Sequence, residues 1–288
     1  MTRLGSLCAA GLLAGGVLLS GQHIPEPRKQ FGAGVTGSFE GWFYDEDGSR
    51  SFLVGYFNRN TQQELDVPIG PDNRLEPGGP DMGQPTHFLP GRQWGMFVVP
   101  VPKDFKPQDK YTWTLAANGQ TTSVPLRLNP DYIMSPLAEI AVHNTPPVIR
   151  FEPNGKTFQG PIANLTIAPV RTASVSAPLT LPLWATDDMK YTSGTGAPMT
   201  TPRPPVTLMW SKYRGPGAVT FDKARPEVEK LSEGEGPLTP FTGRATTSVR
   251  FREPGDYVLH VTAYDYSGEG GGFGCCWTTS LVKVAVKP

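Results

Sequence analysis

Hydrophobic and polar residues alternate with a period of two in several short segments of the N-terminal half. Residues 111–115 read YTWTL, with large apolar side chains separated by threonines. This pattern predicts a β-strand with one buried face. Asn118-Gly119 follows as a hairpin-turn signal before the partner segment 121–128. Residues 38–44 and 52–57 flank a short acidic turn and predict a second hairpin.

The alternation is clearest in the C-terminal half. Apolar residues share one face in each of the segments 179–185, 206–210, 249–251, 257–263 and 282–286. Short strands separated by turn signals favour an antiparallel sandwich. We therefore predict an all-β chain with two antiparallel, immunoglobulin-like β-sandwich domains in tandem, at residues 35–130 and 146–288. Residues 131–145 are expected to form a linker, with a short helical turn within 132–142.

The order of the C-terminal segments carries a family resemblance. The segments are NTPPVIRF (144–151), LTLPLWATDD (179–188), PVTLMWSKYRGPGAVTF (205–221), ATTSVRFREPGDYVLHVTAYD (245–265) and SLVKVAV (280–286). Together they resemble the PKD-type immunoglobulin-like domains of secreted bacterial proteins. The resemblance implies that Trp210 lies in the core and that the hydroxyl of Tyr257 ties down the preceding connection. It implies no ligand, because one fold serves many functions.

Two connections in the C-terminal half depart from the family pattern, at residues 188–205 and 267–277. The N-terminal half resembles no family by its motifs. Trp184 falls opposite the apolar face of its predicted strand and is expected to face outward.

Composition restricts the fold and the partner. Glycine and proline account for 64 of the 288 residues (33 and 31). Both residues disfavour helix interiors, so a helical bundle is not expected. The chain has 26 basic and 26 acidic residues, which leaves no positive excess for a nucleic acid. The expected partner is another protein or an extracellular polysaccharide.

The first 21 residues have the pattern of a secretory signal peptide. Arg3 precedes an uncharged stretch at 4–19, and the small residues Ser20 and Gly21 follow. We expect cleavage there, which leaves a leader at residues 22–34. The alternative is an uncleaved membrane anchor. The protein is therefore expected to be secreted, periplasmic or located at the bacterial cell surface.

Cys275 and Cys276 are the two cysteines outside the predicted signal peptide. Adjacent Cα atoms lie about 3.8 Å apart, closer than in an ordinary disulfide. The pair could form a vicinal disulfide, remain as two free thiols or bond to another chain, and we favour a structural role over a redox role. Because neighbours on a strand face opposite sides, one thiol could lie in the core and the other at the surface.

Two glycine-rich segments, the first of them also rich in proline, are the candidate contact surfaces. The segment 66–93 is longer than most loops in compact domains, which indicates either a partner-binding loop or a proline-braced connection between sheets. The segment 267–277 is the second candidate. The candidate partner-binding residues of these segments are Arg74, His87, Phe88, Arg92, Phe273 and Trp277.

The sequence offers no catalytic motif and no cofactor-binding motif. The patterns GxSxG, HExxH and the Walker sequence do not occur, and Gly32–Gly37 matches GxGxxG without the strand and helix that nucleotide binding requires. The four histidines are scattered. His260 alternates with Tyr264 and is expected at the surface.

Calcium is the one metal with candidate ligands. The acidic residues at predicted loop ends are Asp45, Asp47, Asp187, Asp188 and Asp265. The alternative is turn formation, in which aspartate accepts hydrogen bonds from nearby backbone. No EF-hand or calcium-binding repeat is present, so no metal site is expected.

We predict a secreted, non-enzymatic binding or structural module at the cell surface or in an extracellular assembly. Two alternatives stay open. A carbohydrate-binding accessory module would need exposed aromatic side chains on one sheet face of the first domain. A hydrolase would need two convergent carboxylates or a Ser/His pair in a cleft between the domains.

Overall fold

The computed structural model describes residues 29–139, 143–189, 204–231, 241–265, 267 and 275–288. These residues form seventeen β-strands and one short 3-10 helix, so the prediction of an all-β fold is confirmed. The predicted signal peptide, most of the leader, Phe273 and most of the connection 188–205 lie outside the described residues.

The N-terminal half, residues 29–139, contains eight strands. They are β1 (Val35–Tyr44), β2 (Arg50–Asn58), β3 (Leu65–Asp66), β4 (Asn73–Glu76), β5 (His87–Phe88), β6 (Gly91–Val101), β7 (Tyr111–Ala117) and β8 (Gln120–Leu126). They form the sheets β1–β2–β6 and β4–β7–β8 and the short pair β3–β5. Both predicted hairpins are present. Asn118 and Gly119 have φ angles of 51° and 75°, as a two-residue hairpin turn requires.

The C-terminal half, residues 143–288, contains nine strands. They are β9 (Val148–Arg150), β10 (Val170–Ser174), β11 (Leu179–Asp187), β12 (Val206–Arg214), β13 (Val219–Phe221), β14 (Glu229–Lys230), β15 (Phe241–Phe251), β16 (Gly255–Asp265) and β17 (Trp277–Lys287). One sheet has the order β13–β15–β11–β9, with β14 also paired to β15, and the other has the order β10–β17–β16–β12. Apart from the parallel pair β10–β17, these strands pair antiparallel.

The C-terminal sheets enclose a hydrophobic core in the strand arrangement of an immunoglobulin-like sandwich. Trp210 on β12 is buried in this core. Tyr257, near the start of β16, donates its hydroxyl proton to the Glu253 carbonyl oxygen at 2.9 Å and accepts the Gly217 N–H at 3.0 Å. Both features that the family resemblance implied are therefore observed.

The N-terminal half covers most of the outer face of β12, β16 and β17, whereas the edge strand β10 stays largely exposed. One hydrophobic cluster combines the aromatic core of the N-terminal half with Tyr213, Val258 and Leu281. A smaller cluster packs Trp277 against Phe43 and other apolar side chains of the sheet β1–β2–β6. Because these clusters cross between the halves, the predicted domain boundaries at residues 130 and 146 stay a prediction.

The prediction that His260 lies at the surface is wrong. Its side chain is only 2% exposed, and its ring stacks on Tyr213 with 5.8 Å between centroids and 14° between planes. The outward face of β16 packs against the N-terminal half, so alternation placed His260 on the correct face but not in solvent. Trp184 does face outward, with the Arg244 guanidinium 5.0 Å from its ring centroid.

The helical turn predicted within residues 132–142 stays a prediction, because residues 140–142 lie outside the described residues; the described residues 133–139 form no helix. The 3-10 helix covers Pro130–Tyr132, and the Asn129 side chain accepts the Asp131 N–H at its start. Pro136 restricts the residue before it to extended conformations, and the Met134 N–H donates to the Trp42 carbonyl oxygen of β1 instead of forming a helical bond.

Removing the Tyr257 hydroxyl should destabilise the C-terminal sandwich. Tyr257→Phe would leave the buried Gly217 N–H without its acceptor, so the free energy of unfolding should fall by about 1–3 kcal/mol. Urea denaturation followed by tryptophan fluorescence measures the change. The matched control is Tyr44→Phe at an exposed ring, which should stay within about 0.5 kcal/mol of the wild type. Equally small changes in both variants would contradict the tying role.

His260 should make the protein sensitive to acid. Burial lowers its pKa from 6.5 to about 3, so between these values the unfolded chain binds a proton that the folded chain does not. The free energy of unfolding should therefore fall as the pH drops below 6.5, by up to about 1.4 kcal/mol per pH unit. His260→Phe keeps a ring against Tyr213 and should remove this component. If the free energies of unfolding of wild type and variant fell by the same amount between pH 7 and pH 5, His260 would not be the cause of the acid sensitivity.

Candidate functional site

The proline-rich segment 66–93 is an ordered brace along the edge of β12. Its Thr86 N–H donates to the Tyr213 carbonyl oxygen at 3.1 Å, and the Tyr213 hydroxyl donates to the Gly83 carbonyl oxygen at 2.6 Å. Arg214 donates two hydrogen bonds to the Asp81 carboxylate, at 2.9 and 2.8 Å. Of the two interpretations of this segment, the structure has the geometry of a connection between sheets.

A charged cluster lies where this brace meets the C-terminal half. The His87 ring is held between two carboxylates, with Nδ1 3.0 Å from Asp66 and Nε2 3.2 Å from Glu64. Lys212 of β12 donates to the same Asp66 oxygen at 3.0 Å. The cluster lines a cleft of about 470 Å³, which residues 216–219 also line.

The ionisation of the cluster follows from its contacts. Burial by itself would lower the pKa of His87, but hydrogen bonds to Asp66 and Glu64 outweigh this effect and raise the pKa above 6.5. Burial would raise the pKa of Asp66, yet His87 and Lys212 hold it below its ordinary value. The hydrogen bond from His87 likewise lowers the pKa of Glu64 despite its burial. All three shifts favour the charged forms.

This geometry suits a set of ion pairs that joins the two halves better than it suits acid–base catalysis. We call the ion pairs of His87 with Glu64 and Asp66 and of Lys212 with Asp66 the latch. Both ring nitrogens of His87 are engaged by carboxylates, so neither is available to abstract a proton from a substrate. Asp66 is shared between His87 and Lys212. Among the described hydrogen bonds of His87, none involves a hydroxyl group that could act as a nucleophile.

Two of the predicted partner-binding residues are buried. Phe88 lies in the hydrophobic core of the N-terminal half, and Trp277 packs against the sheet β1–β2–β6. Neither side chain is exposed in this structure, and the partner-binding role of their segments stays a prediction. His87 is also mostly buried and is occupied by the cluster described above. The physical reason is the same for all three: the segments that carry them face the junction between the halves.

The other two described candidates remain near the surface. Arg74 is partly exposed and pairs with Glu76 at 2.9 Å. Arg92 donates to the Glu40 carboxylate at 3.0 Å, and its guanidinium lies 3.9 Å from the ring centroid of Trp94. The Trp94 side chain is 40% exposed. Arg92 and Trp94 therefore form an exposed cation–π pair at the N-terminal part of β6.

The Glu40 carboxylate holds this pair through its ion pair with Arg92. Burial raises its pKa to about 7, although the charge of Arg92 and the Gly95 N–H act in the opposite direction. The Gly95 N–H donates to the second carboxylate oxygen at 2.8 Å. Sequence reasoning missed Glu40, because the irregular register between β1 and β2 at Phe39 and Gly41 interrupts the alternation there.

The aspartates of the first hairpin form a turn. The Asp45 carboxylate accepts the Ser51 hydroxyl at 2.7 Å, and Asp47 accepts the Ser49 N–H at 2.9 Å. These are the local hydrogen bonds that aspartate makes in turns. The described His, Cys, Asp and Glu side chains contain no group of three that could hold a metal ion.

The other three aspartates come together at one end of the C-terminal sandwich. Asp187 ends β11, Asp265 ends β16, and Asp188 accepts the Thr145 hydroxyl at 2.9 Å. Asn144 donates its side-chain amide to Asp265 at 2.6 Å. The sequence placed these carboxylates at loop ends, but not together.

The two cysteines form a disulfide beside this group. Cys275 and Cys276 are bonded to each other, and their sulfur atoms lie 3.8 and 3.4 Å from the Asn144 carbonyl oxygen. Both residues are buried. The expectation of one exposed sulfur is wrong, because the pair precedes β17 and packs against residue 144 instead of alternating within a strand.

Lys212 and Arg214 are junction residues that sequence reasoning missed. The sequence offered no clear signal for them, because the neighbouring strand β16 keeps an alternating pattern although both of its faces are buried. Among the described residues, no helix is long and apolar enough to cross a membrane.

Comparison with known proteins gives no family. No protein-family model matches the chain, and no curated protein matches it. One similar solved structure is AggA, the major subunit of aggregative adherence fimbriae type I from Escherichia coli, at 17% identity over 42% of this chain and 91% of that chain, with a TM-score of 0.20. Another is domains 4 and 5 of the S-layer protein SbsC, at 13% identity over 89% of this chain and 98% of that chain, with a TM-score of 0.22. TM-scores this low carry no argument about function.

Proposed function

We propose that this chain is a non-enzymatic structural or binding module of an extracellular or cell-surface assembly. The observation that carries the proposal is the junction, where the two halves share one hydrophobic cluster and are joined by the ion pairs of Lys212 and Arg214. Such a junction suits a unit that holds its surfaces in a fixed relative position. A site that opens and closes around a substrate would need a more weakly packed boundary.

The exposed Arg92–Trp94 pair is the proposed contact surface. Tryptophan and arginine are over-represented among the residues that dominate binding energy in protein interfaces. Glu40 and the Gly95 backbone hold the pair in one orientation, which lowers the entropy cost of binding. The proposed partner is another protein.

A carbohydrate partner is the second candidate. Tyr44, Trp94 and Tyr132 of the N-terminal half have exposed rings, and an exposed aromatic ring can stack on the apolar face of a sugar. Under this alternative the chain would bind an extracellular polysaccharide through the same half.

Capture of partners from the native envelope tests the contact surface. The full chain would be cross-linked and recovered, and Trp94→Ala should reduce the recovered partner at least fivefold, because truncating a central interface tryptophan costs about 2 kcal/mol or more. Tyr44→Ala, at another exposed aromatic residue, is the matched control. Equal recovery with wild type and Trp94→Ala would remove this surface. Binding on a glycan array that Trp94→Ala abolishes would favour the carbohydrate alternative.

The latch at His87 should strengthen the junction most at low pH. A raised pKa means that the stabilisation is complete below pH 6.5 and is lost as the pH rises through the folded-state value. His87→Gln should therefore lower the free energy of unfolding by about 1–2 kcal/mol at pH 6 and by much less at pH 9. Urea denaturation at the two pH values measures this difference.

The control for the latch is an ion pair outside the junction. Glu152→Gln breaks the surface pair with Arg171, whose atoms lie 3.2 Å apart, and should change stability by less than about 1 kcal/mol at either pH. An equal loss for His87→Gln at pH 6 and pH 9 would show that the residue stabilises by packing and not by charge.

A further inference from the structure

Three oxygen-bearing side chains meet at the end of the C-terminal sandwich where β11 and β16 finish. Asp187 is the last residue of β11, Asp265 is the last residue of β16, and Asn144 precedes β9. The Asn144 side-chain amide donates to Asp265 at 2.6 Å and to the Ser267 hydroxyl at 2.8 Å. The fold thus assembles this group from segments far apart in sequence.

All three side chains are removed from solvent. The relative exposures are 4% for Asp187 and 1% each for Asp265 and Asn144. Within the described structure, the second carboxylate oxygen of Asp187 and the amide oxygen of Asn144 are buried and have no hydrogen-bond partner. Buried polar oxygens are almost always satisfied in folded proteins, so two unsatisfied oxygens in one group call for a partner.

The missing partner must supply positive charge or a proton. Asp187 lies close enough to Asp265 for the two carboxylates to repel each other. A proton would neutralise one carboxylate. A cation would neutralise the charge and also satisfy the Asn144 oxygen, which can only accept.

The donor set points to a hard divalent cation of the calcium type. Two carboxylates and one amide oxygen supply oxygen atoms, which calcium prefers, and the set has no imidazole or thiolate for zinc or copper. Calcium accepts irregular geometry and completes its six to eight ligands with backbone oxygens and water. The absence of a third closely placed carboxylate among the described residues fits the weak sites of extracellular modules, with dissociation constants of about 10⁻⁴–10⁻³ M.

We propose that Asn144, Asp187 and Asp265 form a calcium-binding site that fixes the entry to the C-terminal half. The Asn144 carbonyl oxygen also lies against the Cys275–Cys276 disulfide. The Asp188 carboxylate accepts both the N–H and the hydroxyl of Thr145. A bound ion would therefore order the connection from residue 143 into β9 together with the start of β17.

Calcium titration of the full chain tests the site. Isothermal titration calorimetry at pH 8 should show one binding event. The melting temperature should rise by roughly 2–8 °C between EGTA and 10 mM calcium chloride, as expected for ligand at about 10 to 100 times its dissociation constant. Magnesium at 10 mM should give a much smaller shift, because it demands a tighter octahedral geometry.

Two variants show whether these side chains carry the effect. Asp187→Asn and Asp265→Asn keep the side-chain shape and should each abolish the calcium-dependent shift. Asp47→Asn, at a turn aspartate of the N-terminal half, should keep it. If a variant does not fold, the wild-type calorimetry still decides the existence of the site, and the other variant decides its location.

Three results would overturn the proposal. The first is the absence of calcium-dependent heat in the wild type. The second is a calcium-dependent rise in melting temperature that both aspartate variants retain. The third is a wild type whose melting temperature does not change with calcium, while Asp187→Asn by itself raises it. The last result would identify a proton as the partner of Asp187. None of these outcomes bears on the junction or on the Arg92–Trp94 surface, so they are separate from the test of the proposed function.

Discussion

In this protein three neighbouring strands of the C-terminal sandwich, β12, β16 and β17, are buried on both faces along most of their length. An antiparallel sandwich sheet usually packs one face on the core and leaves the other in water. Here the second face of β12, β16 and β17 lies against the N-terminal half, and Tyr213, Val258 and Leu281 join its hydrophobic cluster. Burial of apolar area contributes about 25 cal/mol per Å². The apolar contacts therefore set how the two halves are arranged, and the polar groups at the junction have to adapt to that arrangement.

The polar residues of the junction show this adaptation. Lys212 is nearly buried and pairs with Asp66, which in turn holds His87. A buried charge without a partner costs several kcal/mol, whereas a paired one contributes little net stability. These ion pairs contribute to the orientation of the two halves, because they form only in one alignment of the segment 66–93 on β12. Among the described residues the His260 Nε2 atom has no hydrogen-bond partner, and burial therefore keeps the ring neutral.

The two ends of the C-terminal sandwich are organised differently. At one end the Tyr257 hydroxyl ties the connection before β16 to the Gly217 backbone, with neutral partners that are all satisfied. At the other end Asp187, Asp265 and Asn144 gather negative charge and unsatisfied oxygens beside the disulfide. Folding alone completes the hydrogen bonds at the first end. At the second end two buried oxygens have no hydrogen-bond partner among the described residues, and the proposed calcium site rests on them.

The sequence by itself determined most of the long strands and the hairpin at Asn118-Gly119, and its family resemblance implied the core position of Trp210 and the corner role of Tyr257. These features depend on alternation and turn chemistry, which act over a few residues. Only the tertiary structure decided which outward faces meet water, and it buried His260, Phe88 and Trp277. A period of two tells which side chains share a face, but not what covers that face. Likewise, Asn144 and Asp265 lie 121 residues apart, and no local pattern records that the ends of two strands and the entry to the sandwich meet at one point.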